Sequence, residues 1–118
     1  ANLSAQAPVD LLIESARAAV PKPGAAQLTC AFSAAEDGME LNIVVPSPER
    51  GFDAAAIELD NPRLWVTTPQ LERQAGRLIV TARIMTPTGE PMAIGRERVT
   101  TTLFSPEGAI EYRGCLGA

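Results

Sequence analysis

The feature that most constrains this chain is a two-residue rhythm. Over residues 77–84, Leu78, Val80, Ala82 and Ile84 alternate with Arg77, Ile79, Thr81 and Arg83. A strand sends successive side chains to opposite faces, so this alternation fits a half-buried strand. The rhythm recurs. Residues 27–34 place Leu28, Cys30 and Phe32 at alternate positions, and residues 40–45 set Leu41, Ile43 and Val45 against Glu40, Asn42 and Val44. Ala55, Ile57 and Leu59 alternate next, and residues 64–67 form a short segment with the single tryptophan, Trp65. Residues 98–105 set Val99, Thr101 and Leu103 against Thr100, Thr102 and Phe104, and residues 109–113 end the series.

Between these runs stand Ser47-Pro48-Glu49-Arg50-Gly51, Asn61-Pro62, Thr86-Pro87-Thr88-Gly89-Glu90-Pro91 and Ser105-Pro106-Glu107-Gly108. Proline pre-sets φ in such turns and glycine supplies conformations other residues avoid. Alternation with one apolar face belongs to antiparallel sheets. No helical pattern of about 10–15 residues separates the strands, which argues against a parallel α/β sheet. The expected fold is all-β, an antiparallel β-sandwich of about seven strands.

The N-terminal stretch reads differently. In PVDLLIESARAAV, residues 8–20, the residues Val9, Leu12, Ile13, Ala16 and Val20 form one helical stripe, with Glu14 and Arg17 on the other face. Pro8 suits a first turn, Asp10 the positive end of the helix dipole, and Pro21-Lys22-Pro23-Gly24 a firm stop. The helix packs on the domain edge or links to an upstream domain. The expected organisation is helix and linker over residues 1–24 and sandwich domain over 25–118.

At 118 residues the length fits one domain with a single core. The ten basic residues are outweighed by fourteen acidic ones, for a net charge of −4. A nucleic-acid binder would show a basic stripe instead. No run approaches the ~18 apolar residues of a membrane span. Histidine is absent, which removes the usual general base and every Ser-His-Asp, Cys-His or His-containing zinc site. No cofactor or metal is expected.

The two cysteines lie far apart, Cys30 in the first strand and Cys115 after the last. First and last strands of a sandwich often meet, because chain ends tend to lie close together. A bridge would close a loop of roughly 86 residues and stabilise by at most about 4–5 kcal/mol in the chain-entropy model. It would also imply an oxidising compartment. Free thiols and a redox-active pair are the other two readings. Against the last, the pair lacks the C-x-x-C spacing that lowers a thiol pKa. Nor is this the antibody pattern, in which a tryptophan follows the first cysteine closely and packs on a central bridge. Trp65 therefore reads as a core or edge aromatic.

Other chemistry is weaker. Glu36, Asp37 and Glu40 cluster around Gly38, and Glu58 and Asp60 lie two apart. Paired carboxylates can do acid–base work or hold a hard cation. Without a D-x-D-x-D-G loop, the first cluster reads as a solvated hairpin turn. Arg96-Glu97-Arg98 reads as the solvated start of a strand. Met39, Met85 and Met92 are scattered, as core or loop residues would be, rather than grouped as soft-metal ligands.

The order of features resembles a known family. A helix of the type LLIESARAAVPKPG leads into the sandwich, followed by AAIELDNPRLWVTTPQLERQAGRLIVTARI and a final AIEYRG. Over residues 8–114 this is similar to the second immunoglobulin-like domain in the periplasmic amino-terminal region of copper-sensitivity suppressor B proteins, relatives of DsbD-type membrane thiol–disulfide reductases. The resemblance implies a periplasmic location, with membrane attachment only through a parent protein. The family passes electrons to periplasmic partners through two closely spaced cysteines. Here the cysteines are far apart, so no catalytic residue carries over. The implied role is a non-catalytic companion of a redox-active domain of the same protein, or of a periplasmic thiol–disulfide partner. On this reading Cys30 and Cys115 form an inert structural disulfide or stay as inert thiols. The alternative is a stand-alone secreted immunoglobulin-like protein-binding module.

Overall fold

The computed structural model describes residues 21–117, apart from Ala25 and Glu49. The helix expected over residues 8–20 lies outside the described residues. Within them run ten strands in chain order: β1 (Lys22–Pro23), β2 (Thr29–Ala35), β3 (Gly38–Val45), β4 (Ala54–Leu59), β5 (Trp65–Val66), β6 (Gln70–Gln74), β7 (Arg77–Met85), β8 (Val99–Ser105), β9 (Gly108–Arg113) and β10 (Leu116–Gly117). One 3₁₀ turn, Arg96–Arg98, precedes β8.

The strands form two sheets packed face to face. The first has the order β1-β9-β8-β4. The second has the order β10-β2-β3-β7, with β5 and β6 both on the far side of β7. The two-residue alternation decides what fills the space between them. On β3, Met39, Leu41, Ile43 and Val45 are buried. Their cross-strand partners on β7 are Ile84, Ala82, Val80 and Leu78, also buried. Ile57, Val99, Leu103, Ile110 and Tyr112 face them from the other sheet. Each large aliphatic side chain taken out of water contributes about 1.5–3 kcal/mol. A slip of one residue would turn every one of them to solvent, so the pattern also fixes register. On the outer face, Thr81 Oγ1 donates to Asn42 Oδ1 across β7 and β3 at 2.9 Å.

Two-residue turns join β2 to β3, β6 to β7 and β8 to β9. Gly38 opens β3 at φ 150, and a Cβ there would run into the Ile84 carbonyl, so only glycine fits.

The structure has more strands than the alternation predicts, and not all pairings are antiparallel. β1 lies parallel to β9, and β10 lies parallel to β2. β1 contains Pro23, acceptable because this is a sheet edge where no partner needs its N–H. β6 reads QLERQ, and only Leu71 is apolar. Its strand character comes from the turn at Ala75 (φ 49) and Gly76 (φ 80), which folds it back on β7. β10 is two residues long and follows directly on Cys115.

Candidate functional site

The site with the most chemistry is where β2, the 3₁₀ turn and β10 meet. Cys30 and Cys115 are joined as a disulfide, with Cα atoms 5.8 Å apart, inside the range that native bridges occupy. Both are buried, Cys30 at 1% and Cys115 at 7% exposure. The side-chain alternation on β2 places Cys30 among the core residues, in line with Leu28. Cys115 reaches it because Gly114, at φ 79, turns the chain out of β9. The N–H of Gly114 donates to the Val99 carbonyl at 2.7 Å, and that of Leu116 donates to the Leu28 carbonyl at 2.9 Å.

Arg96 holds both halves of the bridge. Its carbonyl accepts the Cys115 N–H at 3.2 Å and lies 3.8 Å from the Cys115 sulfur. Its side chain reaches the other half, where Nε donates to the Cys30 carbonyl at 3.4 Å. The guanidinium carbon stands 5.6 Å from the centre of the Phe32 ring, within cation–π range. The residue read from sequence as part of a solvated strand start is thus the one that clasps the disulfide. Nothing in the sequence joins it to Cys30, 66 positions away. Only the 3₁₀ turn brings the two together.

The other candidates do not converge on this site. Glu36 and Asp37 form the β2–β3 turn. Glu40 sits opposite Arg83 on β7. Asp60 follows β4 and accepts from Arg98 Nη1 at 2.9 Å, and Glu58 precedes it on β4. These carboxylates line an open, solvated groove with Glu97, Thr100 and Arg113. Among the described residues, no three Asp, Glu or Cys side chains group as metal ligands would. Met39 is in the core, whereas Met85 and Met92 are exposed. Trp65 is an edge residue, 71% exposed on β5 and paired with Met85.

The bridge is buried. Thiol–disulfide exchange needs a thiolate to approach a sulfur along the S–S axis. Both cysteines are buried, and the Arg96 carbonyl lies 3.8 Å from the Cys115 sulfur. With no histidine in the chain, no imidazole stands by to activate an attacking thiol.

No family model matches the sequence, and no curated protein matches it. Among solved structures, the fold is similar to the crystal structure of the N-terminal periplasmic domain of ScsB from Proteus mirabilis, at 19% sequence identity and a TM-score of 0.55. The likeness covers 98% of this chain and 48% of that one, so the chain spans about half the length of its neighbour. At this identity the likeness establishes the shared fold.

Proposed function

We propose that the chain is a non-catalytic, immunoglobulin-like sandwich module of a periplasmic membrane thiol–disulfide reductase linked to copper tolerance. It supports electron transfer to periplasmic partner proteins, alongside a redox-active domain of the same protein. The observation that carries this reading is the disulfide. The chain's two cysteines are spent on a buried bridge, so a module of this kind contributes shape and contact rather than electrons. The fold shared along nearly the whole chain with a periplasmic domain of ScsB supports it. An intact disulfide also suits an oxidising compartment such as the periplasm. Among the described residues no helix is long and apolar enough to cross a membrane, so in this reading any attachment belongs to the parent protein.

The test is an insulin-reduction assay driven by dithiothreitol. The chain is expected to add nothing to the rate of dithiothreitol alone, and its bridge to survive millimolar glutathione under native conditions. Catalytic turnover that Cys30→Ser abolishes would make it a redox domain and overturn the proposal.

A further inference from the structure

The two flanks of the larger sheet differ in how they meet solvent. On the β7 side, β6 ends the sheet with Glu72 and Arg73, preceded by Pro69. Charges and proline at an edge discourage pairing with other chains. On the other side, β10 covers β2 only at Thr29 and Cys30. Beyond them, Ala31–Ala35 has no partner on that edge among the described residues. The segment reads AFSAA, without charge or proline, and its register with β3 runs without a bulge. Within the segment itself none of the usual guards is present.

The main-chain groups that face this edge can be identified. The Leu28 carbonyl accepts from Leu116, and the Cys30 carbonyl accepts from Arg96. In an antiparallel ladder the outward groups recur every second residue, so Phe32 and Ala34 present their N–H and C=O to the same edge. The charges at its two ends are opposite. At the Cys30 end stands the exposed Arg96, whose guanidinium has no carboxylate within ion-pair distance among the described residues. At the Ala35 end the chain turns through Glu36 and Asp37, both exposed and without an ion pair among the described residues.

We propose that this edge is a self-association surface: a second copy of the chain adds its own β2 antiparallel to Phe32–Ala35, joining two sandwiches into one continuous sheet. A two-fold axis between the strands makes the contact self-complementary. It brings Glu36 and Asp37 of each copy towards Arg96 of the other, and pairs the open groups of Phe32 and Ala34 without new geometry. The end of β10 beside Cys30 limits the paired stretch, so the association is weak and sensitive to salt.

The test is sedimentation equilibrium of the 118-residue chain up to about 1 mM, the weak end of specific association. The expected result is a monomer–dimer equilibrium that weakens with added salt. Ala34→Pro removes an outward N–H while leaving the ladder to β3 intact, since edge positions accept proline. It should raise the dissociation constant at least about tenfold, with circular dichroism confirming the fold. Glu36→Lys with Asp37→Lys, at two exposed side chains of the β2–β3 turn, should do the same. A chain that stays monomeric throughout overturns the proposal. So does a dimer that neither variant weakens, as one formed through the Trp65–Met85 surface would be. A monomer whose β2 edge takes up a peptide of residues 1–20 instead would overturn it too.

Discussion

The guanidinium of Arg96 stands over the ring of Phe32, 5.6 Å from its centre, and from there its Nε reaches the Cys30 carbonyl. One exposed side chain thereby ties the ring of Phe32 to the main chain at Cys30. Arg96→Ala removes the ring contact and the hydrogen bond together and should cost about 1–2 kcal/mol, read as a lower urea midpoint at unchanged slope. Arg96→Lys keeps the charge without the planar stacking and should recover only part of the loss.

Removing the bridge should cost more. Replacing Cys30 and Cys115 by alanine frees the unfolded chain of its large loop, worth at most about 4–5 kcal/mol. The slope of the urea transition should also rise, because an uncrosslinked unfolded chain exposes more surface. A double variant as stable as the native protein would show the bridge to be dispensable.

Gly24 lies against the ring of Tyr112, and its N–H donates to the Glu111 carbonyl at 2.8 Å. A Cβ at this position would overlap the ring, which is buried at 3% exposure. Gly24→Ala should therefore destabilise by about 1–3 kcal/mol through overpacking. Gly51→Ala is the control, since only the end of the Arg73 side chain lies near a Cβ there, and it should change stability far less.

Trp65 should prove a poor reporter of unfolding. It is the single tryptophan of the chain, and it is already mostly in water when folded. Acrylamide should quench its emission in the native protein nearly as well as in urea. Trp65→Ala should shift the midpoint by no more than a surface substitution does, about 0.5 kcal/mol.

The body of the sandwich was legible because β3, β7 and β8 each bury one face against a core. Leu41, Ile43, Val80 and Leu103 could be assigned to that core from spacing alone. β6 was not legible, because its pairing depends on the Ala75-Gly76 turn and on an available edge of β7, not on its own apolar content. β1 and β10 were missed for a related reason. A two-residue strand has no periodicity to detect, and its existence depends on where distant β9 and β2 happen to lie. The disulfide stood in the sequence as one of three readings. Arg96 was invisible as its clasp, because hydrogen bonds to carbonyls 66 residues away leave no trace in local pattern.

The parallel pairing of β10 with β2 joins residues nearly the whole domain apart, Leu116 with Thr29. Contacts of such long sequence separation are the slow part of folding, because a large loop must close before they form. Here the cross-link sits beside the pairing, one residue from each strand partner. In an oxidised chain the two segments never separate, and the most distant contact becomes effectively a local one. The oxidation state at the start of refolding thus sets the search the chain must make. A chain refolding with its bridge intact should reach the native state faster than the same chain reduced.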